Sequence, residues 1–181
     1  LYVTTFAKTY GLEAIVVRPF NSYGPRLPYE GPYGNVIPKF VTRVLAGKPP
    51  TIYGDGAQTR DFTYVTDTVK GIIQASMCDE LISEAVNIAN GRETSVIEIA
   101  ELVTRLLDRP DLKPKFIDER PGDVRRHYAD ITKAREMLGY KPEIDIKTGI
   151  GNYTEWFKST GINPQDAAKA EWERTWFPEG K

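Results

Sequence analysis

The sequence predicts an α/β fold. Residues 13–18 and 85–89 are rich in β-branched and aliphatic side chains, a composition typical of buried strands. Residues 36–46 instead carry apolar side chains at the spacing of one helix face. Because helical segments of this kind alternate with strand segments along the chain, the order of elements is that of the α/β class.

The first half of the chain begins with a predicted helix. Residues 1–10 carry apolar side chains at helical spacing, and Gly11 follows as a helix stop. After the strand at 13–18, the passage 19–34 is rich in Pro, Gly and Tyr and is too long to be a turn. The further elements expected are the 36–46 helix, a short strand at 51–53, the turn Gly54-Asp55-Gly56, an extended stretch at 60–64, a helix capped by Thr66 or Asp67 that runs to Met77, and the 85–89 strand.

A capping box marks a helix in the second half of the chain. The Ser95 hydroxyl can accept the backbone amide of Glu98, while the Glu98 carboxylate reaches back to Ser95. Apolar residues continue this helix to Leu106. The other elements expected are a strand at 114–118, a short helix capped by Asp130 and ended by Gly139, a helix that begins at Asp145, and a last helix with Pro164 at its first position behind Asn163.

The composition argues against several classes of protein. The 181 residues carry 24 basic and 25 acidic side chains, so no general attraction to nucleic acid or to an anionic membrane is expected. Cys78 is the only cysteine and His127 the only histidine, which argues against a disulfide framework and against a metal site. We expect no membrane span and no signal peptide. A reducing cytoplasm is the expected location.

Three polar segments are candidates for a binding site. Residues 18–26 follow a buried strand directly, where open α/β sheets bind ligands, although a rigid structural turn is the alternative. Residues 53–64 combine an aromatic ring, a glycine turn and Arg60, which suit a base and a phosphate. The alternative there is a hairpin with a solvated Arg-Asp pair. Arg120 and Asp123 offer a second cation and a carboxylate, which alone would form an ordinary polar turn.

Four blocks together resemble a known family. They are Arg18-Pro-Phe-Asn-Ser-Tyr-Gly-Pro, residues 53–67, Ala85-Val-Asn-Ile-Ala-Asn-Gly91 and residues 120–134. In order and spacing they are similar to the extended short-chain dehydrogenase/reductase family of nucleotide-sugar enzymes. That family includes UDP-glucose 4-epimerases, sugar-nucleotide 4,6-dehydratases and UDP-glucuronate decarboxylases. The resemblance covers essentially the whole chain.

The resemblance implies a more specific fold. The chain would form the carboxyl-terminal part of a Rossmann-like NAD-binding sheet, with two or more parallel strands, plus the small α/β substrate-binding domain. Residues 1–34 would supply the end of the catalytic helix, a sheet strand and the active-site loop of the NAD-binding domain. Residues 35–181 would belong mainly to the nucleotide-sugar-binding domain, with 61–91 returning to the NAD-binding sheet.

The resemblance also implies contacts to the cofactor and to the start of the nucleotide. Pro19 and Phe20 would approach the nicotinamide of NAD, and Asn21 would bond the substrate diphosphate. The segment that would run past the nucleotide consists of Asn35, Val36 and Ile37.

The remaining implied contacts are to the base, the diphosphate and the ribose. Ile52 and Tyr53 resemble the wall against the uracil. Arg60 and Arg120 would hold the diphosphate from two sides by charge-assisted bonds, and Asp123 resembles the ribose contact. Three other acidic residues fit turn and helix-cap roles better than ligand contacts: Asp61, Asp67 and Asp130.

Two motifs of the family do not occur in the sequence. There is no Gly-x-x-Gly-x-x-Gly loop for a dinucleotide pyrophosphate, and no tyrosine is followed four positions later by a lysine. In the family that tyrosine and lysine lie on the helix of which residues 1–10 would be the tail. We therefore expect no catalytic residue in this chain, and we interpret it as a carboxyl-terminal portion that is inactive by itself.

The expected function is that of a UDP-sugar 4-epimerase that uses NAD and a 4-keto-sugar intermediate. A UDP-glucuronate decarboxylase or a sugar-nucleotide 4,6-dehydratase is the alternative, because these enzymes share the oxidation at sugar C4. An alternative of another class is a non-catalytic nucleotide-sugar-binding module or an assembly partner. The expected ligand is a UDP-sugar or another nucleotide sugar, and the complete enzyme is expected to be a homodimer. Because strands of a larger sheet would lack their inner neighbours, we expect the isolated chain to be marginally stable or to associate.

Overall fold

The computed structural model describes residues 1–29 and 35–169. Its helices are α1 (Tyr2–Tyr10), α2 (Val36–Leu45), α3 (Val65–Ser76), α4 (Val96–Leu106), α5 (Thr132–Leu138), α6 (Ile146–Ser159) and α7 (Pro164–Lys169), with a short 3-10 helix at Asp79–Leu81. Its strands are β1 (Val16–Pro19), β2 (Ser22–Tyr23), β3 (Thr51–Tyr53), β4 (Thr59–Arg60), β5 (Thr63–Tyr64), β6 (Ala85–Ile88), β7 (Thr94–Ser95), β8 (Lys115–Ile117) and β9 (Arg126–His127). The last five residues of the predicted 19–34 passage, and the end of the predicted 35–181 domain, lie outside the described residues. Within the described part of the chain, no helix combines the length and apolar character needed to span a membrane.

The chain divides into two compact units. Unit 1 consists of Leu1–Ser22, Asp61–Glu93 and His127–Ile146. Unit 2 consists of Tyr23–Arg60, Thr94–Arg126 and the described chain from Lys147 onward. Unit 1 includes residues 127–146, which the sequence did not assign to it, because apolar spacing identifies a helix but not the sheet that it packs on. The roles of the predicted domains in binding NAD and nucleotide sugar stay a prediction.

Two parallel strands organise unit 1. β1 lies beside β6, with Val16 opposite Ala85 and Pro19 opposite Ile88, which confirms the predicted α/β class. The first strand begins at Val16 rather than at residue 13, because the chain before β6 turns at Ser83, whose φ of 68° lies in the left-handed region. Parallel pairing places the carboxyl ends of both strands at one edge.

The core of unit 1 forms on β6. Val86 and Ile88 of β6 pack in one buried cluster with Ala134 of α5 and with Tyr140. Gly71 of α3 lies so close to this cluster that a Cβ atom at its position would be 2.6 Å from Cγ2 of Ile88. Glycine therefore sets the separation between α3 and the strand.

The predicted cap of α3 is wrong. The residue that precedes the helix is Tyr64, not Thr66 or Asp67, because β5 leads directly into α3. The Asp67 carboxylate instead accepts the backbone amides of Glu143 at 3.1 Å and Ile144 at 3.0 Å. Asp67 thus stabilises a distant segment of unit 1 rather than the start of its own helix.

Two other local predictions are partly corrected. The extended stretch predicted at 60–64 is interrupted, with β4 ending at Arg60 and β5 beginning at Thr63. Asp130 was predicted to cap α5, but Ile131 holds the cap position. Asp130 lies one residue before the cap position, and its carboxylate still accepts the backbone amide of Thr132 at 2.8 Å.

Unit 2 contains parallel and antiparallel strand pairs. β3 pairs with β8 in parallel, with Ile52 opposite Phe116, and β4 pairs with β7 antiparallel. The capping box of α4 is confirmed, because the Glu98 amide donates to Ser95 Oγ and the Ser95 amide donates to Glu98 Oε2. Pro164 is confirmed as the first residue of α7.

Helix α6 packs closely on Tyr23 within unit 2. Tyr23 is 1% exposed, and a Cβ atom at Gly149 would overlap its hydroxyl group. Gly151, two residues further along the same helix, has no atom within 4 Å of the corresponding Cβ position. The two glycines of α6 therefore have different roles, since only Gly149 is required by packing.

Candidate functional site

An aromatic ring and a guanidinium meet in unit 2. Tyr53 is the last residue of β3, and the predicted turn Gly54-Asp55-Gly56 follows it. The guanidinium carbon of Arg120 lies 5.0 Å from the centroid of the Tyr53 ring, within cation–π range. Two residues predicted from different sequence blocks are thus brought together.

Arg60 and Asp123 also meet in unit 2. Nη1 of Arg60 donates to the carbonyl oxygens of Thr59 at 2.7 Å and Val124 at 2.6 Å, while Nη2 donates to the Asp123 carboxylate. The Arg60 and Asp123 side chains are 18% and 23% exposed, so the ion pair is partly shielded from water. The alternative of a solvated pair within residues 53–64 is wrong, because Arg60 bonds Asp123 and Asp61 is fully buried.

A cavity of about 140 Å³ opens beside these residues. It is lined by Tyr53, Gly54, Asp55, Gln58, Glu119, Asp123 and Arg125. Pockets that enclose a whole drug-sized ligand measure ~300–1,000 Å³. The cavity therefore has room for only a part of a nucleotide, such as one ring or one sugar.

A bidentate ion pair at this cavity was not predicted from the sequence. Nη1 and Nη2 of Arg125 donate to Oδ1 and Oδ2 of Asp55 at 2.7 and 2.9 Å. These bonds lower the pKa of Asp55 to about 2, with the hydrogen bonds from Arg125 as the largest cause. The Gly-Asp-Gly turn was recognised only as a turn, and no sequence signal links it to Arg125 across the intervening chain.

The other predicted nucleotide contacts of unit 2 differ in exposure. Asn35 and Val36 are half-buried at the start of α2, where the Asn35 side chain forms no cap bond. Ile37 and Ile52 are 0% exposed and belong to the core. In the described structure these two isoleucines present no surface to a ligand, so any effect on binding would be transmitted by their neighbours.

In unit 1, predicted residues lie where β1 ends. Phe20 stacks on His127, with ring centroids 4.9 Å apart and planes inclined by 27°. Nδ2 of Asn21 donates to the Asp61 carbonyl oxygen at 3.1 Å and lies 3.4 Å from Nδ1 of His127. Asn21 has φ of 32°, a conformation that costs energy and clusters at functional sites. Pro19 precedes this pair as the exposed last residue of β1.

His127 is the residue of unit 1 that sequence reasoning missed. As the only histidine it was used to argue against a metal site, although it lies within one of the four family-like blocks. His127, from the block of residues 120–134, contacts Phe20 and Asn21, which belong to the block that begins at Arg18. Its position within the family-like block of residues 120–134 was the sequence signal that could have identified it.

Asp61 behaves as the predicted turn residue of unit 1. Its carboxylate accepts the backbone amides of Asn90 at 2.9 Å and Gly91 at 3.0 Å. Burial raises the pKa of Asp61, although these amide bonds act in the opposite direction. The bonds hold the chain that follows β6 close to the residues that follow β1, so both strand ends contribute to one edge of unit 1.

The profile of the protein family described as GDP-mannose 4,6 dehydratase matches residues 1–153. The chain belongs to this family. The family lies within the NAD-dependent nucleotide-sugar epimerases and dehydratases of the short-chain dehydrogenase/reductase group, as the resemblance implied.

Two curated relatives represent different activities within the family. Over 160 residues the chain is 39% identical to a putative UDP-glucose 4-epimerase of Methanocaldococcus jannaschii, a match that covers 87% of this chain and 50% of the relative. Over 153 residues it is 34% identical to UDP-glucuronic acid decarboxylase 6 of Arabidopsis thaliana, covering 84% and 43%. The chain thus spans about half the length of the curated relatives that it matches.

Solved structures of the family show the same fold. A UDP-glucose 4-epimerase of Thermotoga maritima with UDP-glucose matches with a TM-score of 0.81 and 36% identity, over 89% of this chain and 51% of that one. A UDP-glucuronic acid 4-epimerase of Bacillus cereus, in complex with UDP-glucuronic acid and NAD, matches with a TM-score of 0.77 and 29% identity, over 86% and 48%. NAD is therefore the cofactor of complete enzymes of this family, as predicted.

Proposed function

We propose that this chain supplies the nucleotide-sugar-binding part of an NAD-dependent UDP-sugar 4-epimerase. The observation that carries the proposal is the cluster in unit 2 of Tyr53, Arg60, Arg120 and Asp123. It offers an aromatic face for a base, two cations for a diphosphate and a carboxylate for ribose hydroxyls.

The two arginines can bind a diphosphate. Each guanidinium can donate two parallel bonds to phosphate oxygens, which fixes both the position and the orientation of the group. Arg60 is held in place by the carbonyl oxygens of Thr59 and Val124, so its orientation is established before a ligand arrives. Arg120 is held over Tyr53, which places the second cation beside the proposed base wall.

Unit 1 is proposed to contact the cofactor. Pro19 and Phe20 lie at the carboxyl end of β1, the edge at which parallel α/β sheets bind dinucleotides. The exposed end of this parallel pair fits the nicotinamide end of NAD. When bound, NAD would supply the hydride acceptor and donor for sugar C4.

The contribution of this chain to catalysis would be binding energy and orientation. Bonds to the diphosphate lie far from the reacting carbon, so they can hold the hexose near the cofactor without fixing the sugar ring itself. An epimerase needs this freedom, because the sugar must present both faces. The sequence contains no Tyr-x-x-x-Lys, so no turnover is proposed for this chain by itself.

Calorimetry of the 181-residue chain with UDP, dTDP and NAD tests the proposal. We expect UDP to bind, and Arg60→Ala and Arg120→Ala each to weaken it by at least tenfold, since a bond to a charged group contributes ~1.5–3 kcal/mol. Arg109→Ala is the matched control, because Arg109 forms an exposed bidentate pair with Asp111 elsewhere in unit 2. Circular dichroism would verify folding, and a folded chain that binds no nucleotide would refute the proposal.

A decarboxylase or a dehydratase is the second candidate, favoured by the 34% identity to the Arabidopsis decarboxylase. Relative affinities for UDP-glucose and UDP-glucuronic acid would show which sugar is bound, because the added carboxylate requires its own partner. Release of carbon dioxide from UDP-glucuronic acid, assayed with NAD and an upstream half of a relative, would distinguish a decarboxylase from an epimerase. A non-catalytic binding module or an assembly partner is the alternative of another class. It would bind nucleotide without any turnover, even with NAD and an upstream half of a relative added. The homodimeric state and cytoplasmic location of the complete enzyme remain parts of the same proposal.

A further inference from the structure

Two ion pairs of opposite polarity join residues 53–60 to residues 119–126 within unit 2. Arg60 of the first segment bonds Asp123 of the second, and Asp55 of the first bonds Arg125 of the second. The first pair consists of proposed ligand contacts. The second has no role in the proposed function.

The Asp55 carboxylate has a second bond, within its own turn, that does not depend on Arg125. Its Oδ1 accepts the backbone amide of Ala57 at 2.9 Å, which fixes the carboxylate within its own turn. Both carboxylate oxygens then accept bonds from the two terminal nitrogens of Arg125. A bidentate pair with one prearranged partner loses less side-chain entropy than an ordinary surface ion pair.

The turn that carries Asp55 is anchored to the core of unit 2. The Gly54 amide donates to the Ile117 carbonyl oxygen at 2.9 Å, and the Gln58 side chain donates to the Tyr53 carbonyl oxygen at 2.9 Å. A Cβ atom at Gly56 would lie 3.1 Å from side-chain atoms of Ile52 and Ile97. These bonds and this close packing make the turn the more tightly held side of the Asp55–Arg125 pair.

Residues 119–126 are less well anchored. Apart from the half-buried Arg120 and Asp123, the segment is exposed. Its backbone is tied to the first segment at two points: the Thr59 amide donates to the Arg125 carbonyl oxygen at 3.0 Å, and Nη1 of Arg60 donates to the Val124 carbonyl oxygen at 2.6 Å. The side chains of Asp123 and Arg125 supply the two ion pairs described above.

We propose that the Asp55–Arg125 pair is a latch that keeps residues 119–126, and with them Arg120 and Asp123, in place at the nucleotide site. The inference rests on the proposed function. If Nη2 of Arg60 donates to a diphosphate and Asp123 accepts from a ribose, their mutual ion pair is lost on binding. The Asp55–Arg125 pair is then the side-chain ion pair that still joins the two segments, beside the bonds from the Thr59 amide to Arg125 and from Arg60 to the Val124 carbonyl oxygen. Both residues of the pair would thus position the ligand groups without contacting the ligand.

Equilibrium and stopped-flow binding of UDP to Asp55→Asn, Arg125→Gln and the double variant test the latch. Asparagine keeps an acceptor for the Ala57 amide, so Asp55→Asn removes the charge and spares the turn. We expect each single variant to bind up to about fivefold more weakly, mainly through faster dissociation. The double variant should lose no more affinity for UDP than either single variant, because each single substitution already removes the whole Asp55–Arg125 interaction.

Asp111→Asn is the matched control, since it breaks the exposed Arg109–Asp111 pair and should leave UDP binding unchanged. A much larger loss in Arg125→Gln than in Asp55→Asn would overturn the latch, because it would show that Arg125 contacts the ligand directly. Additive losses in the double variant would overturn it as well.

Hydrogen exchange measured without nucleotide tests the latch independently of the proposed function. Amides of residues 119–126 should exchange faster in Asp55→Asn than in the parent chain, and Asp111→Asn should not change them. If the parent chain does not bind UDP, the proposed function fails, while exchange still decides the latch. Unchanged exchange in Asp55→Asn would refute it.

Discussion

Arg60 donates to the carboxylate of Asp123, so two residues proposed to hold different parts of one nucleotide hold each other. The same carboxylate that orients Arg60 also competes for it. A diphosphate that binds Arg60 must displace Asp123 and then remain close to its negative charge. If a nucleotide binds as proposed, affinity for its phosphate part and affinity for its nucleoside part are therefore linked through one ion pair.

Asp123→Asn is expected to strengthen the binding of free pyrophosphate several-fold, because it removes both the competitor for Arg60 and the nearby negative charge. The same variant should bind UDP no more tightly than the parent chain, because the proposed ribose contact is weakened. Calorimetry with both ligands measures the two effects. Asp118→Asn, at an exposed carboxylate outside the cavity lining, provides a control for the loss of one negative charge. Weaker pyrophosphate binding in Asp123→Asn would contradict the competition.

Acid titration should show that Asp55 stays ionised to unusually low pH. Its pKa is about 2 in the folded chain against an ordinary value of 3.8. A depressed pKa means that the ion pair contributes to stability above the ordinary value and that this contribution is lost as pH falls through about 2. The ¹³C shift of the Asp55 carboxyl group measures the midpoint, and Arg125→Gln should move it upward. An unchanged midpoint in that variant would show that Arg125 is not the cause.

Gly149→Ala should destabilise the chain by about 1–3 kcal/mol, because the added methyl group overlaps the buried Tyr23 hydroxyl. Gly151→Ala is the matched control on the same helix. It meets no neighbouring atom and should be neutral or stabilise by up to about 1 kcal/mol through helix propensity. Urea unfolding of both variants gives the comparison, and equal effects would show that α6 does not pack on Tyr23 as described.

The isolated chain should associate through unit 1. In the described residues β1 has β6 as its only strand partner, and α1 exposes Tyr2, Phe6 and Tyr10. Open strand edges and adjoining apolar side chains favour association. Size-exclusion chromatography over a range of concentrations should show growing oligomers, reduced in Phe6→Gln. Phe116→Gln, at an exposed apolar position of unit 2, is the control. A stable cooperative monomer would refute this expectation.

The sequence predicted those elements whose signals are local. The capping box at Ser95, the glycine that ends α1 and the proline that begins α7 each act within one turn, and all three are confirmed. The parallel pairing of β1 and β6 was expected only through the resemblance, because periodicity does not choose partners for a strand.

The sequence failed where a side chain serves a distant segment. Asp67 has the residue type and position of a helix cap, yet its carboxylate bonds amides in residues 143–144. Asp55 and Arg125 form an ion pair although they are far apart in the sequence. No local pattern, such as opposite charges three or four residues apart, predicts that the two side chains meet. Such contacts are decided by tertiary packing, which composition and spacing do not record.

The interleaving of the two units restricts how this protein can be dissected. Each unit is assembled from three separate stretches of chain, and each pair of successive stretches of one unit is separated by a stretch of the other. No choice of two termini can excise either unit, and no single proteolytic cut can release one. Testing the proposed cofactor contacts of unit 1 apart from the proposed nucleotide-sugar contacts of unit 2 will therefore require point substitutions within the intact chain rather than deletion of a domain.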